Sequence, residues 1–233
     1  MTLARVPESG VQVVLEADGY RAEIASIGAS LRSLSYRGRD LVVPFAADTT
    51  RPAMRGALLA PWPNRLADGV YDLDGVRYQL PVNELATGTA AHGLVAWLNF
   101  TETGIRASTQ EVRLSSVIEP QPGYPWRVRI DVEFSLASDG LRQVVSATNL
   151  SATPAPIGLG GHPYLLAGEP GRRSIDEWSL LVPADEVLLV SADRMLPTDR
   201  VSVAAGGCGN FDFRRPRRIG DALPNNAYTS LVS

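Results

Sequence analysis

Val128, Ile130, Val132, Phe134 and Leu136 alternate with mostly polar neighbours. A period of two is the period of an extended strand, with one face of its side chains apolar. Five apolar side chains on one face need a second layer to cover them, so this segment calls for stacked sheets rather than helices. The run ends in Ser138-Asp139-Gly140, and a second strand-like stretch covers residues 141–148. Asp-Gly between two such runs is a strong short-range hairpin signal.

The same grammar recurs along the chain. Tyr71 and Leu73 precede Asp74-Gly75, and Val76, Tyr78 and Leu80 follow. Trp178, Leu180 and Val182 read as a short alternating strand, and Val187, Leu188, Leu189 and Val190 as a strand buried on both faces. Residues 11–15, 20–27, 31–36 and 40–43 read as short strands joined by glycine-containing turns. The 21 glycines and 17 prolines leave no long helical pattern between them. No fixed-period repeat, low-complexity tract or linker divides the 233 residues. The expectation is one all-β domain of sandwich type over residues 1–233.

Composition removes several function classes. A single cysteine excludes a disulfide scaffold. Cys208, His92 and His162 are the only soft ligands, which nearly excludes a zinc site but leaves carboxylate sites for hard cations open. The net charge of −3 is well mixed, so neither nucleic acid nor an anionic membrane is an expected partner. Every basic residue is Arg, so no Schiff-base or P-loop lysine is available. The start, MTLARVPESG, has no apolar signal region, and no apolar run reaches the roughly 18–20 residues that span a bilayer. A soluble, cytoplasmic chain is expected. Nothing in the sequence signals its oligomeric state.

Two stretches break the strand pattern, residues 51–69 and 153–164. Loops on a rigid β scaffold commonly carry binding groups. The first holds Arg65 in PWPNRL and the second His162 in GGHPYL. His162 and His92 each have two local readings, a turn cap or an acid/base group, since imidazole titrates near neutral pH. Arg65 reads as a surface arginine on Trp62 or as a multi-donor fork for ligand oxygens. Trp62, Trp97, Trp126 and Trp178 read as core residues ahead of a sugar platform. The cluster Arg214, Arg215, Arg217 and Arg218 reads as a solvated turn ahead of a phosphate contact, and Cys208 as part of a flexible glycine turn. Gly158-Leu159-Gly160-Gly161 is no nucleotide fingerprint, and no G-x-S-x-G elbow is present.

In order along the chain, several runs resemble the aldose 1-epimerase (galactose mutarotase) family. They are Asn64-Arg65-Leu66 with Gly69 and Leu73-Asp74-Gly75, then Asn83 followed by Ala91-His92-Gly93-Leu94-Val95. Pro122-Gly123-Tyr124-Pro125, Asn149 with Pro156 and Gly158, and Gly161-His162-Pro163-Tyr164 come next. Leu196-Pro197, Phe211-Asp212-Phe213-Arg214 and Asn226-Ala227-Tyr228 look like later segments. The resemblance covers about residues 10–233. It implies a large antiparallel β-sandwich, the galactose mutarotase-like supersandwich, stopping short of the family's C-terminal part.

The resemblance also implies an activity, interconversion of the α and β anomers of a free hexose, with no cofactor and no metal. His162 looks like the general acid that protonates the ring oxygen. His92 looks like the residue that orients the sugar, and Arg65, with its neighbour Asn64, like a donor to sugar hydroxyls. Two departures stand out. The position of the family's substrate-binding aspartate is read as Asn225, in Pro224-Asn225-Asn226-Ala227-Tyr228. The family's catalytic glutamate lies beyond the matched part and has no counterpart here. Two other readings share the fold, a non-catalytic sugar-binding protein and a relative of hexose-6-phosphate 1-epimerases.

Overall fold

A computed structural model describes residues 5–103 and 110–232. Residues 1–4, part of the segment expected to lack a signal, lie outside them. No helix among the described residues is long and apolar enough to cross a membrane. The strands pair antiparallel, and the chain divides into two compact units. One comprises Met1–Asn83 and Thr89–Leu165, the other Glu84–Gly88 and Leu166–Ser233.

The first unit opens with a meander, β1 (Gln12–Ala17), β2 (Tyr20–Ala25), β3 (Ser30–Tyr36) and β4 (Arg39–Asp40). Short strands follow: β5 (Leu58–Leu59), β6 (Arg65–Ala67), β7 (Val70–Leu73), β8 (Val76–Gln79) and β9 (Thr89–Ala91). A second meander is built from β10 (Thr101–Glu102), β11 (Glu111–Ile118), β12 (Val128–Ala137) and β13 (Gly140–Asn149). Finally β14 (Gly160–Gly161) pairs with β5, and β6 pairs with β9.

The period-two reading of β12 holds residue by residue. Val128, Ile130, Val132, Phe134 and Leu136 are buried, and the residues between them are not. They face Val13 and Leu15 of β1 and Ile24 of β2 within one apolar cluster, so the two meanders form the layers of the sandwich. The hairpins close as their turn residues dictate. Asp74 and Gly75 both have positive φ, 50° and 79°, as a two-residue primed turn needs. At the other hairpin the loop is Ser138-Asp139, and Gly140 opens β13 opposite Ala137. Tyr71 and Tyr124 stay neutral far into alkali, because burial, then the neighbouring tyrosine, pushes each up to about 12. Their hydroxyls donate to Gly123 and Pro156 carbonyls at 2.7 and 2.8 Å.

Of the four tryptophans, Trp126 is core as expected. Trp97 is 53% exposed, with the Arg51 guanidinium 4.4 Å from its ring centroid. Arg51 itself is buried and donates to Ser30 Oγ at 2.5 Å and the Ala96 carbonyl at 2.7 Å; burial pushes its pKa down to about 10.

In the second unit, β15 (Ser179–Leu180), β16 (Ala184–Val190), β17 (Pro197–Ser202), β18 (Arg217–Arg218) and β19 (Tyr228–Leu231) form a pair, β15 with β18, and a sheet ordered β17-β16-β19. The alternation at 178–182 yields only two paired residues. The apolar run at 187–190 is the central strand, yet Val187 alone of it is fully buried. Arg194 ties Glu84–Gly88 into this unit by donating to the Thr87 and Gly88 carbonyls, both at 2.9 Å. The arginine cluster is partly engaged within the unit. Arg214 pairs with Asp212 and Asp185, and Arg218 with Glu177. Arg217 donates to three backbone carbonyls and lies 4.1 Å over Phe213.

Replacing Phe134, fully buried at the centre of β12, by Ala is expected to cost about 3–5 kcal/mol in urea unfolding. A loss below about 1 kcal/mol would contradict the sandwich core. Hydrogen bonds from Arg214 hold Asp212 down at about 2. Because the folded pKa lies below the unfolded one, this stabilisation is present above pH 4 and is lost as pH falls from about 4 to about 2. Amide protection in β16 and β18, taken against the intrinsic exchange rate at each pH, should therefore fall across that window, and Asp212→Asn should flatten the dependence.

Candidate active site

The two stretches that break the strand pattern pack on one another. Gly158 N–H donates to the Pro61 carbonyl at 2.6 Å, and a side chain at Gly158 or Gly160 would press on Pro63 at 3.1 Å. Asn149 turns the chain into the second stretch: its amide donates to the Thr153 carbonyl at 2.8 Å and its Oδ1 accepts from Ser151 N–H at 2.9 Å. The Tyr124 hydroxyl then pins Pro156.

Residues 56–60 hold both histidines. His162 N–H donates to the Ala57 carbonyl at 2.9 Å, and Gly56 N–H donates to the His162 carbonyl at 2.8 Å. Four residues further on, the Ala60 carbonyl accepts from Leu94 N–H at 2.6 Å and Val95 N–H at 3.2 Å, and Ala60 bridges to Gly93. The buried, apolar β5 thus carries one histidine segment at each end.

His92 is fixed from a second direction. It follows β9, whose register sets Ala91 opposite Arg65. His92 N–H donates to the Asn64 carbonyl at 2.8 Å. The Asn83 carboxamide locks Ala91, donating to its carbonyl at 3.0 Å and accepting from its N–H at 2.7 Å. Trp62 Nε1 donates to the Ala90 carbonyl at 3.2 Å. Asn64 and His92 both have left-handed backbones, φ 62° and 67°. Asn and His adopt that region more readily than most residues, and such conformations concentrate where structure is held for function.

The outcome is a compact constellation. The His92 and His162 rings lie 5.4 Å apart, edge to face at 85°. Arg65 stands one rung from His92, with Nη1 3.3 Å from Asn64 Oδ1. Both histidines are half-buried. Four of the five site residues expected from the sequence, Asn64, Arg65, His92 and His162, are thus brought together. Asn225 belongs to the second unit, as an exposed loop residue ahead of β19. Among the described residues no group of three His, Cys, Asp or Glu side chains could hold a metal ion.

Residues 11–231 match the aldose 1-epimerase family. The chain belongs to that family. Its relatives include the uncharacterized protein YihR of Escherichia coli, 37% identical over 82% of this chain and 60% of that protein. Human galactose mutarotase is 28% identical over 90% of this chain and 62% of that protein. Among solved structures, an aldose epimerase homologue from C. elegans superposes with a TM-score of 0.76 at 25% identity, over 90% of this chain and 65% of that one. Galactose 1-epimerase from Lactobacillus acidophilus shares the fold, with a TM-score of 0.74 at 20% identity. The chain thus spans about three fifths of the length of the curated aldose 1-epimerase relatives it matches.

Three contributors escaped the reading of candidate site residues. Asn83 lies within the family motifs, but its backbone clamp on Ala91 is a tertiary contact. Tyr164, two residues after His162, places its ring 5.3 Å from that imidazole. Arg55 sits over Tyr164 at 5.4 Å, and no local pattern marks it.

Gly93 lets His92 reach its place. Its φ is 75°, and an added Cβ would lie 2.0 Å from the Ala60 carbonyl oxygen. Gly93→Ala should cost at least about 2 kcal/mol. Gly75→Ala, at φ 79° with open space around it, should cost about 1 kcal/mol. Equal thermal shifts for the two would contradict the close approach.

Proposed function

We propose that the chain is an aldose 1-epimerase-type isomerase that interconverts the anomers of a free hexose. The observation that carries this reading is the edge-to-face histidine pair beside Arg65 and Asn64. Family membership supports it, and so do the names of relatives that act on galactose.

Ring opening breaks the bond between the anomeric carbon and the ring oxygen. His162, as imidazolium, delivers a proton to the ring oxygen as that bond breaks. The proton of the anomeric hydroxyl leaves to a base, and its electron pair forms the aldehyde. Rotation about the neighbouring carbon–carbon bond presents the other carbonyl face, and the reverse steps close the other anomer. His92 orients the ring, while Arg65 and Asn64 hydrogen-bond the hydroxyls that do not react. The role of this base is given to none of the four residues assigned here.

A second reading is sugar binding without turnover by the same four residues. Polarimetry on freshly dissolved α-D-glucose and α-D-galactose separates the two. Isomerisation predicts a mutarotation rate above buffer that His162→Ala abolishes without changing the thermal midpoint. A folded wild-type chain that leaves the rate at the buffer value, yet gives saturable heat with a hexose in calorimetry, would overturn isomerisation in favour of binding.

A further inference from the structure

Three side chains follow one another outward from His92: His162 at 5.4 Å, Tyr164 at 5.3 Å from His162, and the Arg55 guanidinium 5.4 Å over Tyr164. The His162 and Tyr164 rings are tilted at 40°. The backbones beneath this stack are tied at each step. Gly56 N–H holds the His162 carbonyl, and Val43 N–H holds the Tyr164 carbonyl at 2.8 Å. Arg55 Nη1 donates to the Pro44 carbonyl at 2.9 Å, which anchors the guanidinium at the far end. Its Nε is buried and makes no hydrogen bond. A cation over an aromatic face is attracted by the ring's electrons.

We infer that Arg55 is a positioning residue for His162, acting through the Tyr164 ring it clamps. The inference rests on the reading of His162 as the site's acid. An acid must point at the ring oxygen to within a fraction of an ångström, and its neighbours set that aim. Without the cation, Tyr164 is free to swing and the imidazole loses one wall. Substrate hydroxyls would still meet Arg65 and Asn64, so turnover should suffer more than binding.

The test pairs proton NMR of the two imidazoles with anomerisation kinetics. The His162 signal is assigned by its loss in His162→Ala. Its carbon-bound ring protons feel the Tyr164 ring current, so Arg55→Met and Tyr164→Leu should move them in the same direction and leave the His92 signal closer to its place. Arg55→Met should lower kcat about tenfold with KM within about twofold. Arg55→Lys, which keeps a cation over the ring, should restore most of both effects, and Arg55→Gln should not. An unmoved His162 signal in Arg55→Met or Arg55→Gln would overturn the inference, as would Arg55→Lys no better than Arg55→Gln. Should the wild-type chain fail to speed mutarotation, the isomerase reading falls while the NMR comparison still decides whether Arg55 positions His162.

Discussion

Both histidines hang from one short, buried piece of backbone. Residues 56 and 57 exchange hydrogen bonds with His162, and the carbonyl of residue 60 receives Leu94 and Val95 just past His92. Leu58 and Leu59 between them are buried. A strand so placed cannot move without exposing apolar surface and breaking bonds to both histidine segments. Much of the site's geometry depends on that constraint. It explains why Gly93 has no room for a side chain, and why loops dense in Gly and Pro lie packed against each other here.

Much of the scaffold was legible in the sequence, and the reason is local. Alternation in β12 survives because one face meets the opposite meander and the other does not. Asp74-Gly75 makes its turn because both residues tolerate positive φ. The reading weakened where tertiary context decides. Trp97 carries an apolar ring, yet Arg51 covers one side of it and the rest faces outward. The apolar run at 187–190 looked doubly covered, but only Val187 of it is fully buried.

The site was legible in a different way. Single residues near His92 and His162 had equally good bland readings, and only the ordered resemblance to a family selected among them. What that resemblance did not carry was the support around the pair. The Asn83 clamp on Ala91 and the Arg55–Tyr164 stack join residues whose closeness is created by the fold. Asn83, Ala91 and Tyr164 lie in runs that carry the resemblance, but nothing in those runs marks which residues touch, and Arg55 lies in none of them.

The central claim is that His92 and His162 form one sugar site. With only two histidines in the chain, long-range proton–nitrogen NMR can follow each ring as galactose or glucose is added. The account predicts that both sets of ring nitrogens shift along one shared saturation curve, and that Arg65→Ala weakens both together. Shifts confined to one ring, or none at either up to high sugar concentration, would contradict it.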